Sequence, residues 1–379
     1  MARKNIKIEP KTPEQIKEFN LANNIADDVE ISIRNLNVGF HSHGKKMHVI
    51  RDVSIDIKKG ETFAIVGESG SGKSVFTKTF TGMLEENGFV SSGNIFFQGE
   101  DLAKYTTNNQ WLHIRGKKIA TIFQDPMTSL NPLLRIGSQI MEVLRLHRGM
   151  DKEEARKEAI EILRRVKIPE PEKRIRDFPF MYSGGMRQRV VIAIALACNP
   201  DVLICDEPTT ALDVTVQTQI LDLIKELQKE EGFTTIFITH DLGVVAGVAD
   251  RVAVMYGGQI VEYGTVEDVF YTPAHPYTWA LLSSLPQLAT DGEDLKYIHG
   301  NPPSFVGEIV GDAFAPRNEY AMKIDFIKEP PMFKVSETHY AKTWLLDPRA
   351  PKVEPPKVVK ELSKKIASSK VDTEAKGEE

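Results

Sequence analysis

The sequence predicts an α/β fold organised around a phosphate-binding loop, with an antiparallel β subdomain, a helical subdomain and a small C-terminal extension attached to a core of buried strands. Three observations carry this expectation. A glycine-rich stretch, Gly67-Glu68-Ser69-Gly70-Ser71-Gly72-Lys73-Ser74, stands between the apolar run Thr62-Phe63-Ala64-Ile65-Val66 and the helix-compatible segment Val75-Phe76-Thr77-Lys78-Thr79. Three later apolar runs each end in polar residues capable of chemistry: Gln124, the pair Asp206-Glu207, and His240. Between them, residues 137–180 turn helical and split the α/β pattern in sequence.

A strand that feeds a glycine turn into a helix N-terminus is suited to hold phosphate. Glycines let the backbone curl closely round the anion, and the unpaired N–H groups of the helix start point at it. Lys73 then reaches the β- and γ-phosphates, and the Ser74 hydroxyl helps to hold Mg²⁺. A flexible turn is the plain alternative for a glycine and serine run, and the flanking strand and helix argue against it.

With 379 residues the chain holds one large domain with appendages, or two domains. Its formal net charge of −5 supplies no basic excess that would require a nucleic-acid partner. Cys198 and Cys205 lie in apolar surroundings and read as small core residues rather than a disulfide or metal pair, which fits a reducing cytosol. Met1-Ala2-Arg3-Lys4 leads into a polar stretch without an apolar core, which argues against a secretory signal. The longest apolar run, residues 190–198, is far short of the ~20 residues a bilayer needs, so membrane association has to run through a partner.

Residues 1–28 mix charge, proline and asparagine around a weak helical stretch near 13–20 and read as a solvated extension. Residues 31–34, 49–57 and 94–97 alternate apolar and polar positions, as strands of an antiparallel sheet with one covered face do. Phe40 follows the first of these; it is either a core aromatic or a surface for stacking a flat base, and spacing alone leaves both open. Residues 119–123 form a buried-type strand ending in Gln124-Asp125-Pro126, placing an amide at the edge where parallel sheets bind ligands, although a solvated turn is the ordinary reading. Asp151 and Glu154 make a capping box, and Ala155, Ala159, Ile162, Leu163 and Val166 share one face, so a helix is expected from 151 to about 167, stopped by Pro169 and Pro171.

Tyr182-Ser183-Gly184-Gly185-Met186-Arg187-Gln188-Arg189 opens an apolar helix. Ser183-Gly184-Gly185 is there either a second anion-binding device or a plain N-cap. Asn199-Pro200 ends that helix before the buried strand 202–205, whose end carries two adjacent carboxylates. Asp206 would orient Mg²⁺ through its water shell, and Glu207, one residue further out, would polarise an attacking water. Thr209-Thr210-Ala211-Leu212-Asp213 follows, with Asp213 the expected N-cap of a helix carrying Val216, Ile220, Leu223, Ile224 and Leu227. The strand 234–239 ends in His240; a lone histidine is ordinarily structural, but this one stands at the same kind of strand end as Gln124 and Asp206 and so within reach of the same γ-phosphate.

In this order on one chain, these motifs resemble the ATPase subunits of ABC transporters, over residues 31 to about 345. The resemblance implies a P-loop ATPase with a RecA-like core, in which residues 29–257 form the ATPase domain, about 127–182 its helical subdomain and 258–350 a C-terminal region; 351–379, rich in Lys, Glu, Pro and Ser, reads as a disordered tail. It makes residues 67–74 the Walker A loop, Gln124 the Q-loop residue and a Mg²⁺ contact beside Ser74 and Asp206, and Asp206-Glu207 the end of Walker B. Glu207, His240, Gln124 and Lys73 become the catalytic set. Ser183 to Gln188 become the signature, which with Asp213 of the D-loop would contact ATP held by a partner subunit, because the family sandwiches two ATP molecules head to tail between two ATPases. Phe40 falls at the family's adenine-stacking position.

More narrowly, residues 182–189, the stretch Phe123-Gln124-Asp125-Pro126-Met127-Thr128-Ser129-Leu130-Asn131-Pro132 and His275-Pro276-Tyr277-Thr278 are similar to the D-type ATPase of oligopeptide and dipeptide permeases. Met186, where many transporters have glutamine, favours the D-type over its F-type sister. Residues 75–87 and 336–339 resemble the oligopeptide importers of lactic acid bacteria and streptococci. The implied role is a peripheral motor at the cytoplasmic face of the membrane that powers oligopeptide import, paired with an F-type ATPase beneath two permease subunits and served by an extracellular peptide-binding lipoprotein, with no nucleic acid involved. The same motor driving dipeptides or nickel is the near alternative. A soluble ABC ATPase of translation or DNA repair is the distant one, and the single Walker A and the lack of a coiled-coil insertion count against it. Several relatives carry cysteines round a Phe-x-Pro-Arg element, proposed to hold an iron–sulfur cluster. Here that element is Phe314-Ala315-Pro316-Arg317 with Ala321-Met322 and no cysteine beyond Cys205, so no cluster is expected and packing alone should hold the segment.

Overall fold

The structure, a computed structural model, describes residues 11–42, 44–209, 212–285 and 297–363. Strands β1 (Val29–Ser42) and β2 (Lys45–Lys58) pair antiparallel, β3 (Thr62–Val66) departs for the core, and β4 (Gly88–Phe97) and β5 (Glu100–Asp101) return, giving the order β2-β1-β4-β5. Ile31, Ile33, Leu36 and Val38 bury one face of this sheet, as the alternation predicts. Phe40 lies inside β1 rather than after it, opposite Met47 on one neighbour and Gly88 on the other.

The second sheet adds β6 (Ile119–Ile122), β7 (Val202–Asp206), β8 (Thr234–Thr239), β9 (Arg251–Tyr256), β10 (Gln259–Thr265), β11 (Phe333–Lys334) and β12 (Tyr340–Ala341) in the order β11-β12-β10-β9-β3-β8-β7-β6. From β9 to β6 every pairing is parallel, so the carboxyl ends of β3, β8, β7 and β6 share one edge. All residues of β3 and β8 are buried, which is why they read as unbroken apolar or β-branched runs.

Between β6 and β7 the chain makes the helices Ile136–Arg148, Lys152–Arg165 and Gly184–Leu196, with shorter turns beside them. The second begins one residue after the predicted start: Asp151 caps it, accepting from the Glu153 and Glu154 N–H groups, while the Glu154 carboxylate accepts from the Asp151 N–H at 3.1 Å. Ala155, Ala159, Ile162 and Leu163 turn inward as their spacing requires.

Residues 11–28 are mostly exposed, as a solvated extension would be, and their weak helical stretch is the helix Pro13–Ala22, which buries none of its residues; contacts nonetheless tie the segment down, with Phe19 edge-on to Phe96 at 5.5 Å, Lys11 bonded to the Gly99 carbonyl and Ile25 buried. Two expectations are corrected. The C-terminal region is not a separate appendage, because β10 pairs with β9 and β12 with β10, so the predicted boundary after 257 falls in a hairpin of the main sheet. Finally, residues 351–363 are attached, with Val359 buried and Ser363 bonding the Tyr271 carbonyl; the first ten residues and 364–379 lie outside the described residues. Cys205 is buried as expected, whereas Cys198 is only half-buried. Among the described residues no helix is long and apolar enough to cross a membrane.

Candidate active site

The shared edge of the parallel strands collects the predicted residues. Gly67 follows β3, His240 follows β8, Asp206 ends β7 with Glu207 directly after it, and Gln124 stands just past β6. The loop after β3 depends on glycine at two positions. Gly67 has φ 152°, and a Cβ there would sit 2.2 Å from the Met255 carbonyl oxygen; Gly72 has φ 106° and caps the helix Lys73–Thr81. Lys73, 6% exposed, turns back over the loop and donates to the Gly67 and Glu68 carbonyls at 2.7 and 2.9 Å. Burial pulls its ammonium pKa down, and the carboxylates of Glu207, Asp206 and Glu68 oppose that pull.

The Ser74 hydroxyl donates to Asp206 Oδ1 at 3.1 Å. Burial raises the Asp206 pKa, the bond from Ser74 lowers it, and neighbouring Glu207 raises it again. A hydroxyl and a carboxylate meeting at the foot of a phosphate loop form the all-oxygen donor set that a hard cation such as Mg²⁺ takes, completed by phosphate oxygens and water. No group of three or more His, Cys, Asp or Glu side chains able to hold a metal exists among the described residues.

Glu207 is the centre of the arrangement. Its Oε2 accepts from Gln124 Nε2 at 2.9 Å, and its Oε1 faces His240 Nδ1 at 3.0 Å. Because a carboxylate only accepts, Nδ1 carries the proton in that contact. The backbone of Glu207 has φ 47°, a left-handed conformation that costs a non-glycine residue roughly 1–2 kcal/mol, and it is held there by its N–H bond to the Ile238 carbonyl at 2.9 Å. Strain at this position turns the carboxylate out of the strand toward its two partners. The amide nitrogen of Gln124 is committed to Glu207, which leaves its carbonyl oxygen as the atom suited to a cation.

A cavity of about 790 Å³ is lined by residues 67–70 and 72–75, by Gln124, Asp206, Glu207 and His240, and by Val49, Leu281 and Pro302. Another, of about 580 Å³ and lined by Trp279, Tyr297, Arg317 and Tyr320 among others, contains none of the predicted site residues. The first is therefore the candidate site. Phe40 does not line it; its ring packs against Gly88.

Ser183, Gly184, Gly185, Met186 and Asp213 do not line it either. Ser183 and Gly184 are exposed at the start of the helix Gly184–Leu196, where the Ser183 hydroxyl accepts from the Met186 N–H at 3.3 Å, so the N-cap reading holds in this chain. Asp213 caps the helix Val214–Glu231 by accepting from Val216 N–H at 3.0 Å; Thr210 and Ala211 of that motif lie outside the described residues. The two helix starts touch, since a Cβ on Gly185 would come within 2.6 Å of Val216 Cγ1. Gly185→Ala should therefore lower the unfolding free energy by about 1–3 kcal/mol, read from urea denaturation. An unchanged midpoint and slope would show that Val216 yields without cost.

Two residues that touch the loop carried no assigned role in the sequence. The Arg317 guanidinium makes a bidentate pair with the Glu68 carboxylate at 2.5 and 2.9 Å, and the Tyr277 hydroxyl accepts from the Glu68 N–H at 2.8 Å. Packing alone therefore does not hold the segment around Phe314; an ion pair to the phosphate loop does so as well. Both residues stood in recognisable motifs, but nothing local in either motif points to a loop so distant in sequence.

Comparison with known proteins agrees with this geometry. Residues 50–210 match the family described as ABC transporter, and residues 261–324 match that described as oligopeptide/dipeptide transporter, C-terminal region. The chain is 61% identical over 339 residues to the oligopeptide transport ATP-binding protein AmiE of Streptococcus pneumoniae serotype 4, covering 89% of this chain and 96% of that one. It is 56% identical to the oligopeptide transport ATP-binding protein OppD of Bacillus subtilis (89% and 95% covered) and 54% identical to the dipeptide transport ATP-binding protein DppD of Lactococcus lactis subsp. cremoris (87% and 95% covered). Among solved structures, the dimeric ATP-binding cassette MJ0796 bound to ADP and Pi in a post-hydrolysis state matches with a TM-score of 0.55 at 29% identity, over 62% of this chain and 98% of that one.

Proposed function

We propose, proceeding from the fact that this chain belongs to the ABC transporter family of ATP-binding proteins, that it is the ATP-hydrolysing motor subunit of an oligopeptide importer. The observation that carries the reading is the meeting of Glu207 with Gln124 and His240 at the strand ends beside the Lys73 loop. Kinship to both oligopeptide and dipeptide transport proteins supports peptide cargo, and the 61% identity to the oligopeptide protein AmiE supports longer peptides.

In this reading the N–H groups of residues 67–74 and Lys73 bind the ATP phosphates, and Phe40, half-buried in β1 outside that cavity with its ring against Gly88, would meet only an adenine reaching beyond the cavity. Ser74, Asp206 and the Gln124 carbonyl would hold Mg²⁺, which when bound would offset the negative charge that develops on the phosphates. Glu207 orients a water and takes its proton while Gln124 and His240 fix the carboxylate. The exposed start at Ser183 and Gly184 would complete the site of a second, F-type ATPase, and that subunit's own signature would complete this one. Closing such a dimer assembles each site from two chains, so a lone chain should turn over ATP slowly. Two permease subunits and a peptide-binding lipoprotein would form the rest of the complex, with this chain peripheral at the cytoplasmic face.

The test is to tag the chain in its native host, solubilise membranes with and without ATP, and identify what purifies with it by mass spectrometry. Two permeases, a second ATPase and a peptide-binding lipoprotein are the expected companions. Ribosomes or DNA-repair factors without membrane proteins would overturn the transport reading and leave the ATPase chemistry standing.

A further inference from the structure

The phosphate loop contains an acid, and that acid is held by the C-terminal region. Glu68 lies between Gly67 and Ser69, in the stretch that must accept a polyanion, so an uncompensated carboxylate there would repel what the loop binds. The structure surrounds Glu68 on three sides. Its carboxylate takes both arms of Arg317, its N–H goes to the Tyr277 hydroxyl, and its carbonyl accepts from Lys73.

Arg317 is itself anchored on every available side. Its side chain is 4% exposed, its Nε donates to the His299 carbonyl at 2.9 Å, and its remaining donors reach the Ile298 carbonyl and the Tyr256 hydroxyl. Tyr277 is fully buried, and its own N–H donates to His275 Nδ1 at 3.0 Å. A planar guanidinium with all its donors engaged is a rigid, specific holder for one carboxylate.

We propose that Arg317 is a positioning residue for ATP binding: by pairing with Glu68 it removes an uncompensated charge from the phosphate loop and fixes the loop's backbone. The proposal rests on the assignment of residues 67–74 to ATP. It gives the C-terminal region a direct part in nucleotide affinity.

The experiment measures ATP affinity of the full-length chain by fluorescent-nucleotide displacement, with Arg317→Met made in two backgrounds, native and Glu68→Gln. In the native background the change should weaken ATP binding about 10- to 100-fold, and in the Glu68→Gln background less than about 3-fold, because the charge it leaves exposed is gone. Added salt should recover part of the affinity lost in the native background, since screening weakens repulsion. Arg317→Lys, which keeps the cation and loses the fork, should fall between the two. Equal losses in both backgrounds, or no recovery with salt, would mean that Arg317 supports the fold alone, and the proposal would be wrong. Lys73→Ala run alongside separates the two levels: unaltered affinity there would remove the ATP assignment itself, whereas its loss without coupling between Arg317 and Glu68 would remove only this inference.

Discussion

Glu207→Gln lowers the rate of ATP hydrolysis by about 100- to 10,000-fold in the assembled transporter while ATP still binds. The reason is in the two contacts of the carboxylate. Both Glu207 oxygens face donors, Nε2 of Gln124 and Nδ1 of His240. A glutamine side chain has nearly the same shape but only one acceptor oxygen, so it loses a partner and its basicity together. On the proposed assignment phosphate binding rests on the loop and Lys73, whose bonds to the Gly67 and Glu68 carbonyls the substitution leaves in place. Single-turnover hydrolysis and equilibrium ATP binding on the same preparation check this. Turnover at the native rate would show that another group accepts the proton, and a parallel loss of binding would show that Glu207 shapes the loop rather than the chemistry.

Lys73→Ala has the opposite signature, with ATP affinity falling about 100-fold before any effect on the chemical step is read. Lys73 is buried, and its ammonium donates to the carbonyls of Gly67 and Glu68 while compensating the nearby carboxylates of Glu207, Asp206 and Glu68. Alanine removes the donor to both carbonyls and leaves those acids facing an incoming polyanion. Titration with a fluorescent nucleotide gives the affinity, and a thermal melt of the same variant shows whether the fold persists. Native affinity in a folded variant would contradict the assignment of Lys73 to the phosphates.

How much of this was legible in the sequence varied with the distance over which each feature is decided. The strand 62–66 was bounded correctly, and β6, β7 and β8 within a residue, because parallel strands covered on both faces must be apolar throughout and announce themselves locally. The cap at Asp151 and that at Asp213 were equally readable, since each is a bond across a few residues. Polar composition announced the exposure of the N-terminal helix, which buries none of its residues, but not the edge contact of Phe19 with Phe96 of the sheet. The hairpin from β9 to β10 was placed at a boundary by family resemblance, which does not say whether the sheet continues past the turn at Gly257 and Gly258.

From its sequence alone this chain declared a phosphate loop, its lysine and serine, and a set of polar residues at the ends of buried strands; these rest on residue type and short-range pattern. Tertiary structure alone decided that Glu207 meets Gln124 across 83 residues and His240 across 33, and that Arg317 reaches Glu68 across 249. The left-handed backbone at Glu207 belongs to the same class. Periodicity reports whether a residue is buried, whereas which strand ends become neighbours follows from the order β3-β8-β7-β6, a property of the whole sheet that no local window contains.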